Sequence, residues 1–204
     1  MTTTWLDTLL RQTRRAGDFP YPHQAAFLLD NPVRRLFTNP RDTIDQLELT
    51  GTEQVLELGP GPGFYSLELA RKLTDGRLEL FDIQPQMLDK ARRKLASAGC
   101  DNVSFHSGDA GAGLPFPDDT FDVAFLAAVI GEVPDKPACI RSLARALKPG
   151  GRLAFFEHFP DPDRLSVAEL QKLVEPEGFS LLDTRGNRWH DTVRFTRNPK
   201  LLDG

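Results

Sequence analysis

The chain has 204 residues, the length of one compact domain, since single cores rarely exceed about 250 residues. Its 25 basic and 29 acidic residues leave a net charge of −4, so no strong positive field would draw it to nucleic acid or an anionic membrane. Hydrophobic residues make up 40% and charged residues 26% of the chain, the balance of a folded soluble domain. We therefore expect a small-molecule partner, with neither nucleic acid nor membrane.

The two cysteines, Cys100 and Cys139, form no C-x-x-C motif and have no histidine at metal-ligand spacing. The sequence therefore predicts neither a disulfide framework nor a metal site. The amino-terminal residues lack the apolar core of a secretory signal, and the longest apolar run, residues 123–130, is shorter than the ~18 residues of a membrane helix. These features predict a cytoplasmic protein.

From residue 51 onward, short apolar segments alternate with longer segments of helical period, the pattern of repeated βαβ units around a parallel sheet. We predict one Rossmann-like, doubly wound α/β core over residues 51–204. The predicted strands are 54–58, 77–82, 103–107, 121–126, 151–158, 178–185 and 190–196, and the predicted helices are 63–73, 84–98, 136–147 and 166–176. The last two strands are expected to form an antiparallel hairpin.

Residues 1–50 precede this core and show helical patterns at 4–15 and 22–36. We expect them to form a helical cap over the sheet within the same single domain, residues 1–204. Their arginines are balanced by nearby acids, so a solvated helix face is favoured over a nucleic-acid arm.

A glycine-rich loop follows the first predicted strand, in the sequence Glu57-Leu58-Gly59-Pro60-Gly61-Pro62-Gly63-Phe64. Alternate glycines let a backbone approach a ligand closely, and the helix after the loop offers free N–H groups. The dinucleotide-binding motif G-x-G-x-x-G requires a glycine at its sixth position, where this chain has Phe64. The acid Glu57 before the loop would also repel a phosphate. A nicotinamide-dependent oxidoreductase is thus the less favoured interpretation.

Acidic side chains stand at the ends of three successive predicted strands, at Glu57, Asp82 and Asp109. The carboxyl edge of an open α/β sheet is where ligands bind, and a carboxylate after the second strand can accept both ribose hydroxyls. Each acid alone could be a turn or capping residue. Together they indicate a positively charged cofactor that contains adenosine but no phosphate.

The glycine loop, together with residues 81–88, 108–110, 121–123 and 147–153, resembles the successive motifs of class I S-adenosylmethionine-dependent methyltransferases, of the small-molecule, type 11-like kind. The resemblance covers about residues 55–156. It implies a seven-stranded sheet of order 3-2-1-4-5-7-6 with one antiparallel strand. It also implies S-adenosylmethionine as cofactor and S-adenosylhomocysteine as product. The residues it implies for cofactor binding are Glu57, Gly59, Pro60, Gly61 and Gly63 (methionine part), Asp82 (ribose), Ile83 or Met87 (adenine face), and Gly108, Asp109 and Ala110 (adenine amine).

The catalytic group is less defined, because in-line methyl transfer depends largely on alignment and does not always need a protein base. Four residues are candidates for contact with the acceptor: Glu132, His158, Tyr21 and His23. Glu132 and His158 follow the fourth and fifth strands, whereas Tyr21 and His23 lie in the proline-rich segment of the predicted cap. His190 is expected to pack within the carboxyl-terminal hairpin.

We thus expect a methyltransferase that acts on an O, N, C or S atom of a small molecule, as a monomer or homodimer. A cofactor-binding module without catalysis remains a second hypothesis, because the segment 127–130 is apolar. Aminopropyl transfer is disfavoured, since no second pair of acids suits a polyamine.

Overall fold

The computed structural model describes residues 39–158, 161, 163–187 and 189–199, and these form one seven-stranded sheet of order β3-β2-β1-β4-β5-β7-β6. Strands β1 to β5 are mutually parallel, whereas β7 is antiparallel to both β5 and β6. The predicted strand order and the antiparallel strand are confirmed. The strands are β1 Gln54–Leu58, β2 Arg77–Asp82, β3 Val103–Ser107, β4 Phe121–Ala127, β5 Leu147–His158, β6 Phe179–Gly186 and β7 His190–Arg197. The helices are α1 Pro40–Asp45, α2 Ser66–Lys72, α3 Pro85–Ser97, α4 Lys136–Ala146 and α5 Val167–Val174.

Two elements start three or more residues away from their predicted first residue, and a glycine with positive φ lies near each of these starts. Helix α2 begins at Ser66 rather than at residue 63, since Gly63 has a left-handed φ of +83° that an α-helix cannot contain. Strand β5 begins at Leu147 rather than at residue 151. Phe121 and Val123 of β4 pair with Leu147 and Arg152 of β5, so the register shifts between these two pairs. Gly150, which lies between Leu147 and Arg152, has φ +77°, and the strand continues through this irregularity.

The sheet has a hydrophobic core on each face, because its strands are covered by helices on both sides. On one face α4 and α5 pack on Phe155 and Phe195, and on the other α2 and α3 pack on Phe125. Helix α3 buries one face, with Leu88, Ala91 and Leu95 in the core, whereas Ala98 at its C-cap is exposed. In the described part of the chain, no helix is long and apolar enough to cross a membrane.

Residues 39–50 join the second of these faces and are the only part of the predicted cap that the structure describes. Ile44, Leu47 and Leu49 are buried in its core. The following Glu48 accepts from the buried Arg194 of β7 at 2.8 Å, and the same guanidinium donates to Asp183 of β6 at 2.7 Å. This charged cluster attaches the segment before β1 to strands β6 and β7 of the sheet. The predicted helices 4–15 and 22–36 lie outside the described residues.

Candidate cofactor and acceptor site

The glycine loop leaves the end of β1 through three left-handed glycines, with φ of +67° at Gly59, +54° at Gly61 and +83° at Gly63. These φ values explain why side chains are disfavoured at all three positions. The space around each one differs. Among the residues that the structure describes, a Cβ at Gly61 would meet nothing within 4 Å, so this position faces open space at the carboxyl edge.

The other two glycines are needed for packing. A Cβ at Gly59 would lie 2.5 Å from Val129 Cγ2, in the turn after β4, and a Cβ at Gly63 would lie 3.2 Å from Ala91 Cβ of α3. A side chain at Gly59 would therefore collide with Val129, whatever the ligand. Gly61 is the position at which the loop can approach a ligand.

Asp82, the last residue of β2, holds the loop in place. Its Oδ2 accepts from the Gly61 N–H at 3.1 Å and its Oδ1 accepts from the Gln84 N–H at 2.9 Å. The Gly59 N–H also donates to the Phe81 carbonyl at 2.8 Å. The side chain is only 6% exposed, and burial raises its pKa, partly offset by the two backbone donors. The loop is thus tied to the end of the neighbouring strand.

Glu57 lies one strand away, 2% exposed, and its Oε2 accepts from Ser66 Oγ at 2.6 Å. Burial raises its pKa to about 7; the Ser66 hydrogen bond opposes that shift and the charge of Asp82 adds to it. Two buried carboxylates at adjacent strand ends lower the cost of binding a positive charge between them. This pair is the feature of the site that most favours a cationic ligand.

The third acidic position differs from the first two. Asp109 is exposed and its Oδ1 accepts from the Gly111 N–H at 2.8 Å, which matches the turn role that any single acid could have. A Cβ at the preceding Gly108 would lie 2.8 Å from Phe81 Cζ, so that glycine is required by an aromatic ring of β2. Ala110 is buried in the core.

Of the two residues predicted for the adenine face, Ile83 lies between β2 and α3, and Met87 lies in the first turn of α3. Ile83 is 48% exposed and Met87 is buried. Of the two, only Ile83 presents its side chain to solvent at the carboxyl edge, next to Asp82.

The loops after β4 and β5 pack against each other on the other side of the glycine loop. A Cβ at Gly131 would collide with the carbonyl oxygen of Asp163, so the two backbones approach closely there. Arg164 pairs with Asp191 of β7 at 2.5 Å, and the Leu165 N–H donates to the buried Glu157 at 3.2 Å. Glu132 ends the short 3₁₀ turn Ile130–Glu132 and is half-buried.

His158 and His190 form a registered pair across β5 and β7. Their rings lie 6.2 Å and 5.7 Å from the ring of Phe156, which places all three on one face of the sheet. His190 is in the hairpin, as expected, but it also lies at the carboxyl edge, because β7 runs antiparallel and starts where β5 ends. His190 is not among the predicted site residues, although the predicted antiparallel direction of its strand is sufficient to place it at this edge. Tyr21 and His23 lie outside the described residues.

Comparison with known proteins identifies the family. Residues 49–191 match the model of a methyltransferase domain, and the chain belongs to that family. The ubiquinone/menaquinone biosynthesis C-methyltransferase UbiE of Marinomonas sp. (strain MWYL1) is 35% identical over 161 residues, which are 78% of this chain and 61% of that protein. The chain therefore spans about three-fifths of the length of this curated relative.

Solved structures share the fold. A SAM-dependent methyltransferase from Aquifex aeolicus superposes with a TM-score of 0.80 at 23% identity, covering 87% of this chain and all of that one. The [4+2]-cyclase SpnF superposes with a TM-score of 0.69 at 19% identity, covering 95% of this chain and 93% of that one. The same fold thus serves proteins named for different reactions, so function has to be argued from the site.

Proposed function

We propose that this protein transfers a methyl group from S-adenosylmethionine to an O, N, C or S atom of a small molecule and leaves S-adenosylhomocysteine. The observation that carries the proposal is the buried pair Glu57 and Asp82 on either side of a glycine loop whose Gly61 faces open space. When bound, this cofactor supplies an electrophilic methyl group on a positively charged sulfur. The residues present fit it, because they offer carboxylates and open backbone rather than phosphate-binding cations.

The chain's own residues have separate tasks in this proposal. Glu57 holds the cationic methionine part together with the backbone of residues 59–63, and Asp82 accepts the ribose hydroxyls. Ile83, which is exposed beside Asp82, covers the adenine face, and Asp109 accepts from the adenine amine. Because Asp82 is already held by two backbone N–H groups, its carboxylate is oriented before the cofactor arrives, which reduces the ordering cost of binding.

The acceptor occupies the β4–β7 side of the edge, near Glu132 and His158. The name of the curated relative, a C-methyltransferase of quinone biosynthesis, favours a ring carbon as the accepting atom. We further propose that residues 1–50 cap this space within a single domain and that Tyr21 and His23 contact the acceptor. That the protein is cytoplasmic, and that it is a monomer or a homodimer, remain predictions from the sequence.

Isothermal titration of the full chain with S-adenosylmethionine, S-adenosylhomocysteine and NADH tests the cofactor. We expect heat with the first two and none with NADH, and binding of NADH alone would establish the oxidoreductase hypothesis instead. Asp82→Asn should weaken cofactor binding, whereas the matched control Asp89→Asn, on the exposed face of α3, should not.

Turnover separates an enzyme from a binding module. The protein and labelled S-adenosylmethionine are incubated with a panel of phenols, quinols, amines and thiols, and transfer of label to any one of them supports the proposal. Tight cofactor binding with no transfer to any member would favour the module without catalysis.

A further inference from the structure

The hydrogen bonds of His190 determine which ring nitrogen carries its proton. Asn187 Oδ1 accepts from the backbone N–H groups of Trp189 at 2.8 Å and His190 at 3.3 Å, which identifies that atom as the amide oxygen. Asn187 Nδ2 is therefore the donor in its 3.2 Å contact with His190 Nε2. Since Nε2 accepts, the proton of the neutral imidazole is on Nδ1.

This Nδ1–H is buried and none of the described residues accepts its hydrogen bond. The next residue on the same face of β7, Thr192, is fully buried, and its Oγ1 likewise has no partner among them. Buried polar groups in folded proteins are nearly always hydrogen-bonded, and leaving one unsatisfied is costly. Two such atoms at neighbouring same-face positions of one strand indicate a missing oxygen-bearing partner.

The surroundings of these two atoms are aromatic. The ring of His190 is inclined by 30° to that of Phe156, and the ring of Phe156 is 5.6 Å from Tyr65, which follows the glycine loop. Trp189, beside His190, is 51% exposed. The polar pair thus lies at the end of a series of rings that begins at the proposed cofactor site, where a planar apolar body could stack.

Charged groups on the same face do not account for the two atoms. Arg194, the next same-face residue of β7, is occupied by Asp183 and Glu48. Asp191 points to the opposite face, where it pairs with Arg164. The partner is therefore to be sought outside the described chain.

We propose that His190 and Thr192 form the polar end of the acceptor site and hydrogen-bond a carbonyl or hydroxyl oxygen carried by a planar apolar ring. His190 Nδ1–H donates to that oxygen and the Thr192 hydroxyl supplies a second hydrogen bond. Phe156 supports the ring between them and the glycine loop. This inference rests on the proposed function and adds to it the chemical class of the acceptor and two residues that recognise it.

The test uses the full chain saturated with S-adenosylhomocysteine, with 2-naphthol as probe and naphthalene as its counterpart without oxygen. We expect 2-naphthol to bind more tightly than naphthalene and to shift the His190 Nδ1 signal in a long-range proton–nitrogen spectrum. The signal of His106, which is paired with Glu79 at 2.6 Å on the distant β3, should not move. Equal binding of the two probes would overturn the proposal.

Thr192→Val removes the hydroxyl while keeping the shape of the side chain. We expect it to weaken 2-naphthol about twofold to tenfold, as for loss of one neutral hydrogen bond, and to leave naphthalene and S-adenosylhomocysteine unchanged. Thr196→Val is the matched control, since it makes the same change at the far end of the same strand. An effect of equal size in both variants would contradict a local contact.

Two further variants separate the proposal from its alternatives. His190→Asn retains a donor near the Nδ1 position and should bind 2-naphthol better than His190→Phe, which retains only the ring. In the ligand-free protein Thr192→Val should not lower the free energy of unfolding, because no partner is lost. A clear fall would show that the ligand-free protein already supplies a partner, either a bound water or another residue of the chain, and would overturn the inference. Failure of S-adenosylhomocysteine to bind the unaltered protein would instead overturn the proposed function.

Discussion

The two halves of the carboxyl edge, one proposed to bind the cofactor and the other the acceptor, differ in the hydrogen bonding of two buried polar groups in each. In the cofactor half, formed by β1 to β3, Glu57 and Asp82 accept hydrogen bonds from Ser66, Gly61 and Gln84. In the acceptor half, formed by β4 to β7, His190 Nδ1 and Thr192 Oγ1 have no partner within the described chain. The cofactor half is thus organised in advance, and the acceptor half contains polar groups suited to an incoming molecule.

This difference has an energetic meaning. A ligand that enters the cofactor half finds carboxylates already oriented, so little ordering opposes its binding. A ligand that enters the acceptor half supplies hydrogen bonds that are otherwise missing, and one without the matching oxygen leaves buried groups unpaired. Such a site discriminates strongly against analogues that lack the oxygen.

The largest effect is expected from Gly61→Ala, which tests whether the cofactor half depends on open backbone. The new Cβ would enter the space that Gly61 leaves open, so we expect cofactor binding to become undetectable by calorimetry. Gly99→Ala is the matched control, since Gly99 also has a left-handed φ, +73°, and open space around its Cβ, but lies at the end of α3. Retained affinity in Gly61→Ala would show that the cofactor binds elsewhere.

Asp82→Ala should weaken cofactor binding about tenfold to a hundredfold, because hydrogen bonds to a charged group contribute about 1.5 to 3 kcal/mol. The measurement is titration with S-adenosylhomocysteine and with its 2′-deoxy analogue. If Asp82 accepts the ribose hydroxyls, the analogue should lose little further affinity in the variant. Fully additive losses would contradict the contact.

The pH dependence of cofactor binding should report Glu57, whose pKa burial raises to about 7. A cationic ligand binds the ionised carboxylate, so affinity should fall about tenfold from pH 8 to pH 6 as Glu57 becomes protonated. Glu57→Gln should bind more weakly at pH 8 and lose this dependence. A steep dependence that persists in Glu57→Gln would assign it to another group.

The same group predicts the stability of the cofactor-free protein. Because the folded state holds the Glu57 proton more tightly than the unfolded state, the free energy of unfolding should decrease as pH rises from about 4.5 to about 7. In Glu57→Gln this contribution should be absent, and the variant should be the more stable protein above pH 7.

The smallest effect on cofactor affinity is expected from Gly59→Ala, which probes the junction of the two halves. Its Cβ would collide with Val129, so the change should cost about 1 to 3 kcal/mol of folding free energy through overpacking and left-handed strain. Adding Val129→Ala should restore part of that loss in denaturant titrations. No recovery in the double variant would mean that strain at Gly59, rather than the contact, dominates.

The sequence was sufficient to predict those features of the structure that depend on residues close together along the chain. Strands β1, β2 and β3 begin and end at the predicted residues, since each is a short apolar run between turn residues. The positions of Glu57 and Asp82 at the carboxyl ends of β1 and β2 were predicted from the strand ends alone. The reasons for Gly59 and Gly108 could not be predicted, because the atoms that exclude a Cβ there belong to Val129 and Phe81, on other elements.

The acceptor half was predicted less well for a related reason. Glu132 and His158 were found because each follows a parallel strand, but His190 opens an antiparallel one and stands beside His158 through a pairing across 32 residues. That Nδ1 and Thr192 Oγ1 lack partners depends on the orientation of Asn187 and on packing, which no residue pattern encodes.

The reversed direction of β7 also has a consequence for how such a domain can change its chemistry. The turn between β6 and β7 emerges at the working edge of the sheet, while both of its strands are already secured by pairing with each other and with β5. Insertions or exchanges at that turn can therefore remodel the wall around His190 without displacing the strands that carry Glu57 and Asp82. For protein engineering, this hairpin is a natural graft point for altering which acceptor is chosen while keeping the same methyl donor.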